Sequence, residues 1–176
     1  MLQGDSAYLD VLKKVGVQIT KTKCGIESSM STMANGGNFD FNDISDTFLT
    51  LAAVAPLLED ATTITGIGHT RKQETDRIRA MANELRKLGQ GVEETADSLT
   101  IVPDIEKLRD IAQKGVRVET YEDHRVAMSF GVLGSHDILE NGKEWLSIEN
   151  PECCTKTFPK YFEELERMRL LSLAPE

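Results

Sequence analysis

"LRKLGQGVEETADSLT", residues 85–100, repeats the sense of an earlier stretch, "LKKVGVQITKTKCGIE", residues 12–27, at a constant offset of 73. Leu85 aligns with Leu12, Lys87 with Lys14, Gly89 with Gly16, Val92 with Ile19 and Thr95 with Thr22. In both copies a helical period ends at glycine, the residue that best tolerates the left-handed backbone closing a helix. Alternating apolar and polar residues then read as strand, turn and strand. A period this long with mixed elements predicts a duplicated α/β unit rather than a short solenoid repeat, with about two and a half copies in the chain and the first cut short.

The flanking segments extend the pattern. Helices are predicted over 7–15, 46–55 and 74–88; the last is the strongest, with Ile78, Met81, Ala82, Leu85 and Leu88 on one stripe. "FNDISDTFLTLAAVA" (41–55) and "TYEDHRVAMSFGVLG" (120–134) each place polar residues before an apolar helix, and each is followed by a strand, "TTITGI" (62–67) or "EWLSIEN" (144–150). Between the second hairpin and the next strand, "DIEKLRDIAQKG" (104–115) is polar enough to read as a surface excursion. Stacked units place equivalent helix N-termini at one end of a domain, where free N–H groups and partial positive charge favour anions. Asp46, Glu74, Arg77, His124, Arg125 and Lys156 would collect there. Met81, Met128 and Phe130 read as core.

With 176 residues, the chain is expected to form a single domain, 1–176, with a sizeable core. Its net charge of -9 argues against a general nucleic-acid binder, yet "GIGHTRKQETDRIRAM" (66–81) gathers positive charge where an apolar period begins. The longest apolar run, "LAAVAPLL" (51–58), is too short to cross a membrane. Three cysteines, Cys24, Cys153 and Cys154, cannot all pair, which suits a reducing, cytoplasmic location. No CxxC or close-spaced histidine pattern points to a metal.

Five strings together, "FNDISDTFLTLAAVAPL", "TTITGI", "RKQETDRIRAMANELRKLG", "DHRVAMSFGVL" and "CTKTFPKYFEEL", resemble in order the C-terminal part of 5-enolpyruvylshikimate-3-phosphate synthase. The resemblance runs from "LQGDSAYLDVLKKVG" to "TKTFPKYFEEL". The sister UDP-N-acetylglucosamine enolpyruvyl transferases are similar in fold but fit these motifs less well. The resemblance implies an α/β (α+β) fold of repeated βαβαββ units, with the active site in a cleft between globular domains of which this chain supplies part of one. It implies carboxyvinyl transfer from phosphoenolpyruvate to the 5-hydroxyl of shikimate 3-phosphate, releasing phosphate, without a redox cofactor.

By the same resemblance, Asp46 matches an aspartate that binds the shikimate hydroxyls and is positioned as base, and Glu74 a glutamate that moves a proton at the methylene carbon of phosphoenolpyruvate. That second role favours a raised pKa, which burial could provide against nearby arginines. Arg77, Arg125 and Lys156 match contacts to the carboxylate and phosphate of phosphoenolpyruvate, and His124 a histidine in the same pocket. His69 and Gln73 stand where many members carry Asn and Lys against the shikimate substrate, so a lysine charge is lost there; whether Lys72 or His69 replaces it is left open. The matching segment lacks the family's N-terminal contacts, so the expected partner is a complementary N-terminal half, and the isolated chain is expected to turn over little. The alternative is a non-catalytic split or engineered fragment that serves as an assembly partner.

Overall fold

A computed structural model describes residues 4–30 and 34–173. Its elements run α1 (Tyr8–Lys14), β1 (Val17–Lys21), β2 (Ile26–Met30), β3 (Gly37–Asp40), α2 (Phe48–Val54), β4 (Thr62–Thr65), α3 (Arg77–Lys87), β5 (Gly91–Glu94), β6 (Leu99–Val102), α4 (Ile105–Ala112), β7 (Val116–Val118), α5 (His124–Gly134), β8 (Leu146–Ile148) and α6 (Tyr161–Leu173). Gly16 and Gly89 adopt φ of +105° and +79°, so the glycine stops read from the repeat do close helices α1 and α3. Each is followed by an antiparallel hairpin, β1–β2 and β5–β6.

The segment from β3 to β6 forms one complete βαβαββ unit. Its four strands lie in the order β3-β4-β6-β5, with β3 parallel to β4 and the remaining pairs antiparallel. The parallel pair needs a crossover, and α2 provides it. Downstream, β7 and β8 are again parallel and α5 again lies between them in sequence. Upstream, the α1–β1–β2 segment looks like the end of a preceding unit, but its hairpin is not part of the four-stranded sheet.

The helices bury apolar faces according to their periods. Ile78, Met81, Ala82, Leu85 and Leu88 of the predicted stripe are completely buried, as are Phe48, Leu49, Ala52 and Ala53 of α2 and Val126, Phe130 and Leu133 of α5. Each large side chain removed from water in this way contributes roughly 1.5–3 kcal/mol. α2 is apolar nearly all round because it packs against α5 and also contacts α3 and β4.

Four local expectations change. The helix expected over 46–55 starts at Phe48, because Asn42–Thr47 is a 3-10 segment broken at Ile44 (φ -134°, ψ 34°). The helix expected from Glu74 starts at Arg77, because the Asp76 carboxylate accepts the Arg79 N–H at 3.0 Å and caps the helix there. The polar stretch 104–115 is no plain excursion: Asp104 caps α4 by accepting the Lys107 N–H, and Leu108 and Ala112 are buried. Met128 is only half-buried. The cysteines are unpaired, with Cys24 exposed and Cys154 buried. Among the described residues no helix is long and apolar enough to cross a membrane.

Candidate active site

Asp123 and Arg77 hold the centre of the site. Asp123 is the N-cap of α5: its Oδ1 accepts the Arg125 backbone N–H at 2.8 Å. Its other oxygen accepts from Nε of Arg77, the first residue of α3, at 2.7 Å. Both groups are almost fully buried, at 0% and 3% exposure. The Arg77 guanidinium also donates to Asp46 Oδ1 at 3.0 Å and to the side-chain oxygen of Gln73. From α5, Arg125 reaches the same aspartate, with Nη2 2.7 Å from Asp46 Oδ2. Three chain segments that precede or begin α2, α3 and α5 are thus joined by two arginines and two aspartates.

Glu74 lies on the loop before α3, not on the helix. Its Oε2 is 3.0 Å from His124 Nδ1 and its Oε1 accepts from Lys156 Nζ at 2.6 Å. Burial pushes the Glu74 carboxyl upward, but hydrogen bonds from Lys156 and His124 outweigh it and hold the group below its ordinary value. The raised pKa expected for Glu74 is therefore not found in the ligand-free protein, because the hydrogen bonds from Lys156 and His124 outweigh burial. The same contact with Glu74 pushes the Lys156 ammonium upward.

Two clusters thus lie side by side, Asp46, Gln73, Arg77 and Arg125 in one and Glu74, His124 and Lys156 in the other, meeting where ligand atoms of Glu74, Asp123 and His124 come within 4.8 Å of one another. His69 joins the Asp46 cluster indirectly: its Nε2 is 2.7 Å from Oγ of Ser45, the residue beside Asp46. Besides Glu74, two placements differ from expectation. Asp46 sits in the 3-10 segment before α2, and Lys156 follows the Pro151–Cys154 turn well ahead of α6 rather than opening a helix. Asp123 was not among the residues singled out from sequence, although an aspartate directly before an apolar helix is a helix-start signal; its link to Arg77 spans too much sequence to be read.

Chemically, the site alternates cations and carboxylates. Glu74, Asp123 and His124 offer ligand atoms within 4.8 Å of one another, but Asp123 is bound by Arg77 and the α5 N-terminus, and Glu74 by Lys156. These donors are satisfied by protein groups, so the cluster is better suited to anions that borrow its cations than to a metal. Asp46 and Glu74, at 37% and 31% side-chain exposure, leave their ion pairs open to such exchange.

The sequence model of EPSP synthase (3-phosphoshikimate 1-carboxyvinyltransferase) matches residues 1–165. A 3-phosphoshikimate 1-carboxyvinyltransferase of Opitutus terrae is 49% identical, with 98% of this chain aligned to 36% of that protein. Its Sulfurovum counterpart is 41% identical over 94% of this chain and 36% of its own length. An EPSP synthase structure from Acinetobacter baumannii superposes with a TM-score of 0.71 at 23% identity, covering 95% of this chain and 39% of that one, and so shares the fold. The chain spans about a third of the length, 36%, of these curated relatives. By this match along nearly its whole length, the chain belongs to the EPSP synthase family.

Proposed function

We propose that this chain forms one wall of a cleft in which the carboxyvinyl group of phosphoenolpyruvate passes to the 5-hydroxyl of shikimate 3-phosphate, with release of phosphate. The observation that carries this reading is the meeting of two ion-pair clusters, Asp46 with Arg77 and Arg125 and Glu74 with Lys156 and His124, where ligand atoms of Glu74, Asp123 and His124 lie within 4.8 Å of one another. Both substrates are anionic, and a site whose cations are held by exchangeable carboxylates suits them.

In this mechanism Arg77 and Arg125 hold the substrate carboxylate, for which a planar guanidinium is well shaped. Asp46 takes the proton of the 5-hydroxyl. Glu74 delivers a proton to the methylene carbon, so that the adjacent carbon becomes electrophilic and the 5-hydroxyl oxygen bonds to it. Glu74, now a carboxylate, takes a proton back from the new methyl group of the tetrahedral adduct as phosphate leaves, which restores the double bond.

The Glu74 environment fits this cycle. A phosphate or carboxylate that draws Lys156 away removes one of the two lowering contacts on the Glu74 carboxyl and so moves it upward, with His124 as the remaining lowering partner. His124 and Lys156 thus act on the proton as well as on the ligand. His69 and Gln73 face the side of Asp46 and contribute to the shikimate subsite. A complementary N-terminal half supplies the opposing wall, since one open wall gives little proximity or solvent exclusion.

A phosphate-release assay with and without that half tests the reading. Turnover is expected only with both. Vigorous turnover by the chain alone would refute the need for a second wall. No turnover in the mixture, together with no saturable amide shifts near Glu74 and Arg125 on adding either substrate, would refute the reading itself.

A further inference from the structure

We infer that Glu84 and Tyr121 are positioning residues that hold a strained turn and thereby fix the Asp123–Arg77 contact at the centre of the site. The turn is Thr120 to Asp123, closed by the Asp123 N–H donating to the Thr120 carbonyl at 2.9 Å. Its two central residues, Tyr121 and Glu122, both have positive φ, +54° and +60°. Tight turns with two positive φ values are normally made from Asn, Asp and Gly. Here a tyrosine and a glutamate occupy them, so tertiary contacts must hold the conformation.

Those contacts are side-chain anchors on each central residue. The Tyr121 hydroxyl donates to Glu84 Oε1 at 2.7 Å, and Glu122 accepts from Asn150 Nδ2 at 3.2 Å. Glu84 is completely buried in α3 and also accepts the Glu119 backbone N–H at 3.2 Å, with Lys87 Nζ at 2.8 Å as its counter-charge. Burial, and then the Glu84 carboxylate, push the Tyr121 phenol up to about 12, so it remains a donor at neutral pH. Helix α3 therefore grips the approach to α5 twice: through Arg77 at its first turn and through Glu84 two turns later, on the same face.

Glu84 touches none of the residues assigned to substrate. A buried carboxylate is weak evidence for stability, because an apolar side chain of similar volume often serves as well. Its distinctive product is geometric: it fixes the backbone immediately before Asp123, His124 and Arg125. The functional value of that geometry rests on the proposed reading of the site, but the geometry can be tested without substrate.

The test is proton exchange at Arg77 Nε–H and at the Asp123 amide, followed by NMR in the ligand-free chain well below its melting temperature. Tyr121→Phe removes only the hydroxyl and is expected to speed both exchanges about tenfold or more by local opening, with the thermal midpoint little changed. Glu122→Gly relaxes the turn while leaving the tyrosine anchor and is expected not to speed them. Glu84→Gln should resemble Tyr121→Phe; if it fails to fold, Tyr121→Phe still decides. Leu99→Val in β6 serves as a control for general destabilisation. Unchanged exchange in Tyr121→Phe, or acceleration matched by the control at equal loss of stability, would overturn the proposal. Phosphoenolpyruvate titration of the same variants reads the consequence for binding: absence of binding to the parent chain would count against the proposed function, while the exchange result would still stand or fall alone.

Discussion

Arg71 and Arg77 both belong to the basic stretch 66–81, yet they sit in ion-pair clusters of different character. Arg71 donates to both oxygens of Asp76, to Glu94, and to the backbone carbonyls of Thr95 and Ala96. Arg79 and Arg86 join the same Glu94, and Arg86 also reaches the Val92 carbonyl. That cluster fastens α3 to the β5–β6 hairpin, and the carbonyls, fixed by the fold, cannot leave. Arg77 instead binds side chains only, and one of them, Asp46, is shared with the half-exposed Arg125. Two positions apart on a helix is about 200° around its axis, so Arg77 and Arg79 face opposite clusters. The Arg71 cluster is closed throughout, whereas the Arg77 cluster has a fixed, buried half in Asp123 and an open half in Asp46 and Arg125.

The largest expected effect separates the two clusters by burial. Arg77→Leu leaves Asp123 buried without its cation, and breaking such a pair should cost about 3–5 kcal/mol, a large part of a domain's stability. Urea denaturation of the chain measures it; a loss no larger than that of Arg71→Met would erase the distinction. Glu74→Gln is expected to do the reverse. It should lower the turnover of the two reassembled halves by about 10²–10⁴-fold while changing stability by less than about 1 kcal/mol.

Arg71→Met should cost about 1–2 kcal/mol, because several bonds are lost at a partly open site. Phosphoenolpyruvate affinity should be untouched, and a weakened affinity in amide-shift titrations would show that the two clusters are coupled. The smallest effect concerns pH. With its folded pKa held below the ordinary 4.5, Glu74 contributes stability above that value and loses it as pH falls through the folded pKa. Glu74→Gln should therefore flatten the acid limb of the stability curve and leave the curve parallel to wild type above it. Parallel curves throughout would mean the Lys156 and His124 contacts do not persist in solution.

Much of the fold was legible in the chain because its signals are local. The α3 stripe follows from spacing alone, and Gly16 and Gly89 mark positions where the backbone turns left-handed. The α4 helix was missed because its buried face is narrow: Leu108 and Ala112 are its only fully buried residues, and charge dominates the rest. Within the site, single residues were legible through their motifs, but partners were not. Asp123 looks like a helix cap and Glu84, in "NELRK", like a solvated charge. Only the folded chain shows that the first clasps Arg77 and the second Tyr121.

The β1–β2 ribbon carries one further consequence. Among the described residues no third strand flanks it, and Ile26 is 53% exposed. A lone ribbon of this kind is marginal in water and presents a ready template for another backbone. Deuterium should enter the backbone amides of that rim before it reaches the four-stranded sheet.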